Sequence, residues 1–242
     1  MGCTICSSEK YFEVGTKNRC RIVQCASCGF YYLDPLPTVE KVDEIYGEYW
    51  ANHKNIGNAK RKIGRFKRKI WRLTKLTSGR EFLDIGCNIG FAVEAARRLG
   101  CSATGIDLSS EAIAIATDLF PANRFFNVSS QDFVSTGKSF DIIVCSEVIE
   151  HLTEVHSFMH SIGCLLKQGG FLYLTTPDAG HFRVPNDFLS WDAVIPPEHT
   201  GFFTKKIIKQ LFAEHGLRVV YFQPMLKPNI RVVARRVSTA CN

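Results

Sequence analysis

The sequence predicts an α/β fold: a mostly parallel sheet wrapped by helices, with a small zinc ribbon at the N-terminus. Three observations predict it. From residue 80 onward, short apolar strands alternate with amphipathic helical segments, the pattern of a sheet covered on both faces. The first of those strands runs into a glycine-bearing turn, Gly86-Cys87-Asn88-Ile89-Gly90. Two C-x2-C pairs, Cys3/Cys6 and Cys25/Cys28, stand eighteen residues apart near the N-terminus.

Residues 1–37 read as the ribbon module, built of short strand-like pieces. Two such knuckles can place four thiolates tetrahedrally around Zn²⁺, so Cys3, Cys6, Cys25 and Cys28 are the expected ligands of a structural zinc. A segment this small buries little core, and the metal would supply its folding energy. Cys20 is a spare. Residues 38–79 read as linker helices. The first, over 38–50, carries Val42, Ile45, Tyr46 and Tyr49. The second, over 59–76, places Ile63, Phe66, Ile70 and Leu73 on one face at helical spacing.

The third unit, 80–242, is expected to carry strands at 82–85, 103–106, 125–128, 141–145 and 171–175. Helices lie between them; Val155, Phe158, Met159, Ile162, Leu165 and Leu166 form an apolar stripe that Gly169-Gly170 closes. Residues 177–203 read as an irregular excursion. Thr204 caps a helix ending at Gly216, and strands near 217–222 and 229–237 form an antiparallel edge.

An apolar fraction of 45% over 242 residues suits one domain plus an appendage. No apolar run approaches the ~18 residues of a membrane span. The start lacks a secretory pattern, and several of the ten cysteines fall in core-like runs, so a reducing, cytoplasmic setting is expected. Cys6 stands where a myristoylation site wants Ser or Thr. The net charge of +7 is local: residues 51–80 hold eleven Lys or Arg and no acid. That basic helix could track nucleic acid, rest on an anionic membrane surface or hold a diphosphate-bearing acceptor. A solvated linker helix packing its stripe on the third unit is the favoured reading.

Gly86 and Gly90 let a ligand approach the backbone at a helix N-terminus. Asp107 follows about twenty residues after the turn, where a carboxylate can accept from both ribose hydroxyls of a nucleoside and repel a 2′-phosphate. A dinucleotide fingerprint would carry a third glycine; Ala95 and Ala96 occupy that helix instead.

The run Asp84–Gly90, then Gly105-Ile106-Asp107, Phe140-Asp141-Ile142-Ile143-Val144 and Leu165-Leu166-Lys167-Gln168-Gly169-Gly170, resembles class I methyltransferases over about residues 80–237. The resemblance implies a Rossmann-like, seven-stranded sheet with a reversed final hairpin and S-adenosylmethionine as cofactor. It implies contacts from Asp84, Gly86, Cys87, Gly90, Asp107, Leu108 and Ser146, and more loosely from Gln131 and Asp132. The family often has Gly where Asn88 stands, and Asn tolerates left-handed backbone. The N-terminus resembles zinc-ribbon extensions of bacterial methyltransferases, some tied to sugar or polysaccharide modification, which points weakly to a glycan.

Glu147, Glu150 and His151 share one face if a helix begins there, and Pro196-Pro197-Glu198-His199 follows later. This pattern is similar to ubiquinone-pathway O-methyltransferases and small-RNA 2′-O-methyltransferases. It implies Glu147, Glu150, His151 and His199 as ligands of a second, divalent metal at the acceptor site; otherwise His151 serves as a general base. His181, Trp191 and Asp192 are expected to cap the acceptor pocket, and His156, His160 and His215 to be ordinary helix residues. The expected function is methyl transfer to a hydroxyl of a small molecule or glycan. An RNA methyltransferase and a non-catalytic cofactor-binding module are the alternatives.

Overall fold

A computed structural model describes residues 2–38 and 58–237. The expected helix over 38–50 lies mostly outside the described residues.

The main sheet has seven strands. They are β4 (Glu81–Ile85), β5 (Ser102–Asp107), β6 (Arg124–Asn127), β7 (Phe140–Ser146), β8 (Leu166–Pro177), β10 (Leu217–Phe222) and β11 (Asn229–Arg236), in the order β10-β11-β8-β7-β4-β5-β6. The five strands from β8 to β6 run parallel; β11 pairs antiparallel with both β8 and β10. From β4 the chain winds outward to β5 and β6, then returns to β7 on β4's other side. A ligand crevice forms outside the strand ends at such a switch point.

Both faces of this sheet are covered, so the central strands are apolar throughout rather than alternating. The two-residue period still sorts them. Leu83, Ile85, Ile143 and Cys145 enter one core, while Phe82, Ile142 and Val144 enter the other. The first core packs under the helices Val155–Leu165 and Lys205–Glu214, and the second under Ala59–Leu73 and Phe91–Arg97. Ser109 and Thr204 accept from the backbone N–H of Ala112 and Ile207, capping their helices.

The basic helix, Ala59–Leu73, buries Ile63, Ile70 and Leu73 against the second core. Each such side chain contributes about 1.5–3 kcal/mol. Trp71 points outward, 51% exposed.

Three expectations change. β8 begins at Leu166 and takes in Gly169-Gly170, which the sequence suggested as a helix stop; the helix gives way directly to strand, with an irregular register against β7. The excursion after β8 is not wholly irregular. It contains the 3-10 turn Phe188–Ser190 and a two-residue strand, β9 (Gly201–Phe202). Finally, the N-terminal segment, expected to bury little core, packs against other parts of the chain, with Ile22 and Leu33 joining Phe188, Trp191, Val194 and Phe202 of the excursion in a third cluster. Its strands β1 (Tyr11–Lys17), β2 (Cys20–Cys25) and β3 (Tyr31–Leu33) form a second sheet, β1-β2-β3-β9, whose last strand comes from the excursion. Ile5, Val23, Phe30 and Tyr32 join the first core of the large sheet. The Phe30 ring lies 5.0 Å from that of Phe203, and a Cβ on Gly201 would fall 2.5 Å from Phe30 Cζ.

Candidate active site

β4 ends in a turn with three left-handed residues: Gly86 (φ 72°), Asn88 (φ 52°) and Gly90 (φ 81°). A Cβ at Gly86 would lie 2.4 Å from Val148 Cγ2, so only glycine fits. The N–H groups of Gly86 and Cys87 donate to the Ile106 carbonyl. Asp107 closes the turn: its carboxylate accepts from Asn88 N at 2.8 Å and from Ser109 N at 2.9 Å. Burial raises the Asp107 pKa in spite of these bonds. Asp84 beneath it is raised well above the usual range, first by burial and then by Asp107's charge.

These groups line a cavity of about 790 Å³, large enough for a nucleoside cofactor plus a small acceptor. Asp84, Gly86, Cys87, Asn88, Asp107, Leu108, Gln131 and Ser146 all border it. Gly90 lies behind the wall as N-cap of Phe91–Arg97. Asp132 is outside the lining, where its carboxylate accepts from Ser129 Oγ at 2.6 Å.

Glu147, Glu150, His151 and His199 line the same cavity. The expected helix through 147–151 does not form. Glu147 adopts φ 57°, Ile149–His151 make one 3-10 turn, and the helix starts only at Val155. The turn does the convergent work instead. Ligand atoms of Glu150, His151 and His199 come within 4.8 Å of one another, and the two imidazole rings meet edge-on at 4.7 Å. Glu147 stands beside this trio rather than in it. Its Oε1 accepts from Thr175 Oγ1 at 2.6 Å and Asn229 Nδ2 at 3.2 Å.

The trio's chemistry is set by burial. The Glu150 pKa is pushed well up by desolvation and by Glu147. Its Oε2 accepts from Thr176 Oγ1 at 3.0 Å, while its Oε1 is buried without a hydrogen-bond partner among the described residues. Burial, with His199 as neighbour, lowers His151 to about 4, and burial lowers His199 as well. Both rings are therefore neutral near pH 7. Nδ1–H of His151 donates to the Glu198 carbonyl at 2.9 Å and that of His199 to Ala193 at 2.7 Å. A carbonyl can only accept, so Nε2 is the lone-pair nitrogen of each ring.

His181, Trp191 and Asp192, expected over the pocket, lie outside the cavity lining. Trp191 is buried with Ile22, Leu33 and Phe202, and His181 bonds the Met225 carbonyl. The excursion reaches the cavity through Ile195 and Pro197–His199 instead. The N-terminal sheet holds that loop in place. Leu33 N donates to the Thr200 carbonyl, Thr200 N to the Glu150 carbonyl, and Asn18 Nδ2 to the Pro196 carbonyl.

The cysteine sulfurs of Cys3, Cys6, Cys25 and Cys28 also gather within 4.8 Å of one another. Cys3 and Cys28 are 3.6 Å apart and Cys6 and Cys25 3.5 Å, close to the ~3.8 Å between sulfurs around a tetrahedral Zn²⁺. Cys20 is not in the group; its thiol donates to the Asn18 carbonyl. His156 and His215, expected to be ordinary helix residues, bond each other at 3.0 Å, and His156 also bonds the Ile5 carbonyl of the first knuckle.

Residue-by-residue reading of the sequence missed Lys62 and Arg65, which with Phe66 of the apolar stripe reach from the basic helix into the cavity wall. With Lys69 the two fall at i, i+3 and i+7, a basic stripe flanking the apolar one. That stripe was the available signal.

A family model described as a methyltransferase domain matches residues 57–221. The ubiquinone biosynthesis O-methyltransferase of Glaesserella parasuis serovar 5 is 35% identical over 107 residues, covering 40% of this chain and 45% of that protein. The one from Pelagibacter ubique is 30% identical over 151 residues, covering 57% of this chain and 63% of that protein. The chain thus spans roughly half the length of the curated relatives it matches. Among solved structures, a Pyrococcus horikoshii protein superposes with a TM-score of 0.63 at 18% identity, covering 78% of this chain and 98% of that one. Magnesium protoporphyrin IX methyltransferase from Synechocystis, solved with bound SAM, superposes at 0.54 with 13% identity, covering 81% and 94%. These structural likenesses establish the shared fold, and the family match takes in more than half of the sequence: the chain belongs to the methyltransferase domain family.

Proposed function

We propose that this chain moves the methyl group of S-adenosylmethionine to a hydroxyl oxygen of a small-molecule acceptor. One observation carries the reading: a nucleoside-type carboxylate, Asp107, and a hydroxyl-activating cluster, Glu150, His151 and His199, line one cavity. The curated relatives, named as O-methyltransferases of ubiquinone biosynthesis, support oxygen as the acceptor atom.

Asp107 grips the ribose, its geometry already fixed by two backbone N–H groups. Gly86 and Asn88 let the cofactor lie against the turn. Transfer of a sulfonium methyl is an in-line displacement, so the protein's task is to align the acceptor oxygen and remove its proton. Glu147, exposed to the cavity and held by Thr175 and Asn229, is placed to take that proton.

The trio fits a divalent cation. Glu150 Oε1 is a buried acceptor with no partner among the described residues. The two histidines keep Nε2 as a lone pair by donating Nδ1–H to carbonyls, the usual support for metal-binding imidazoles. Glu150, His151 and His199 would hold the ion, which when bound lowers the pKa of the acceptor hydroxyl. Cys3, Cys6, Cys25 and Cys28 would hold a structural zinc, which ties the N-terminal sheet to the loop carrying His199.

Calorimetry tests the cofactor half. S-adenosylmethionine should bind the wild-type protein and bind Asp107→Ala at least tenfold more weakly. Uptake of a nicotinamide dinucleotide with no heat from S-adenosylmethionine would end the proposal.

A further inference from the structure

The basic helix gathers positive charge beside the cavity: Arg65 is in its lining, and Lys69 lies just outside that lining. One turn on, the Lys69 ammonium lies 5.3 Å from the Phe66 ring centroid and 5.8 Å from that of Tyr173. Arg231 meets them from the sheet: it pairs with Thr175 in the β8–β11 ladder, so its side chain shares a face with Thr175 and Tyr173. None of Arg65, Lys69 and Arg231 forms an ion pair among the described residues. The like charges of Arg231 and Arg65 add to burial, the largest cause, in lowering the Lys69 pKa. Glu147 is the carboxylate whose charge acts against them there.

A second observation is independent of charge. Tyr173 is 6% exposed, yet its hydroxyl is buried without a hydrogen-bond partner among the described residues. Stranding a hydroxyl is unfavourable, and crowding three cations adds to that cost. A ligand that accepts from the hydroxyl and neutralises the cations would relieve both. Around Lys69 and Tyr173 the cations Arg65, Arg72 and Arg231 outnumber the one carboxylate, Glu147, a surplus that a multiply charged anion such as phosphate would offset.

We infer that Arg65, Lys69, Arg231 and the Tyr173 hydroxyl form an anion subsite that holds a phosphate or diphosphate group of the methyl acceptor. The subsite borders Glu147 through Thr175, so the anchored phosphate would sit beside the reacting hydroxyl. This deepens the proposed function by naming a phosphorylated small molecule as the acceptor class, and it rests on that reading. Arginine forks and an ammonium are the usual recognition set for phosphate.

The test titrates pyrophosphate into the full chain by calorimetry, with S-adenosylmethionine titrated separately into the same preparations. Pyrophosphate should bind the wild type, and at least tenfold more weakly to Lys69→Gln and Arg231→Gln, while S-adenosylmethionine affinity stays within about twofold. Tyr173→Phe should also weaken pyrophosphate. If that variant only raised thermal stability and left pyrophosphate binding unchanged, the hydroxyl would be outside the site and the proposal wrong. Equal pyrophosphate binding by wild type and both charge variants would overturn it, as would malonate binding as tightly as pyrophosphate. Binding of single-stranded RNA that pyrophosphate does not compete away would overturn it in favour of a nucleic-acid track. Loss of S-adenosylmethionine binding with pyrophosphate binding intact would instead sink the methyl-transfer reading and leave the subsite standing.

Discussion

Thr175 donates its hydroxyl proton to Glu147 Oε1 at 2.6 Å, and its own oxygen sits 2.8 Å from Ser146 Oγ. Because Thr175 Oγ gives its one proton to the carboxylate, Ser146 must donate to Thr175. The chain Ser146–Thr175–Glu147 therefore aims the carboxylate, at a residue whose backbone is itself left-handed. Thr175→Val should lower kcat about tenfold with little change in KM, the size of one lost hydrogen bond to a charged group. Thr175→Ser should restore most of the rate. A rise in KM alone would place Thr175 in binding and not in positioning.

Gly86 offers a sharper test of the cofactor turn. Alanine there meets both a φ of 72° and a methyl of Val148 at 2.4 Å. Gly86→Ala should cost about 1–3 kcal/mol of strain and weaken S-adenosylmethionine by at least tenfold in a direct titration. Gly137, also left-handed but with nothing near its Cβ direction, is the control: Gly137→Ala should leave cofactor affinity unchanged.

The four-cysteine cluster should report on the proposed acceptor site. Leu33 bonds Thr200 and Thr200 bonds Glu150, so the N-terminal sheet braces the metal-type trio directly. Removing the proposed zinc with a chelator, or substituting Cys25→Ser, should lower Tm by roughly 5 °C or more as one transition and depress methyl transfer. S-adenosylmethionine affinity should change less than transfer. Release of zinc with Tm and rate both intact would show the two sheets to be uncoupled.

Acid stability is expected to depend on Glu94. It binds Arg97, Arg98 and Asn123 and so fixes the helix that follows the cofactor turn. The Arg97 bond, foremost among these, lowers its pKa from 4.5 to about 2. A depressed carboxylate contributes stability above its unfolded pKa and loses it as pH falls through the folded one. The window is therefore pH 4.5 down to about 2. The arginines are nearly half exposed, so the contribution at pH 7 is about 1–2 kcal/mol. Denaturant melts of Glu94→Gln should show that deficit at pH 7 and little deficit near pH 2.

What the sequence revealed was local chemistry. The glycine turn, Asp107 and the cysteine pairs each need particular residue types at short spacings, and all stand where those spacings suggest. The shared face of Glu147, Glu150 and His151 depended on a helix beginning at Glu147; a left-handed backbone there and a single 3-10 turn over Ile149–His151 stand in its place, and nothing in the side chains announces that conformation. β9 was invisible for another reason: two residues have no periodicity, and Gly201-Phe202 becomes a strand only because β3 lies beside it. Lys62 and Arg65 were legible as a helix stripe, but which stripe meets the cavity is decided by how that helix packs on Phe91–Arg97.

The most direct measurement follows the label. Protein supplied with tritiated-methyl S-adenosylmethionine, a divalent cation and a panel of small phenolic and sugar-type hydroxyl acceptors should place tritium on oxygen in at least one product, and His151→Ala should abolish that transfer while still binding the cofactor. Label arriving on carbon or nitrogen, or transfer to oxygen that proceeds unchanged in His151→Ala, would contradict the account.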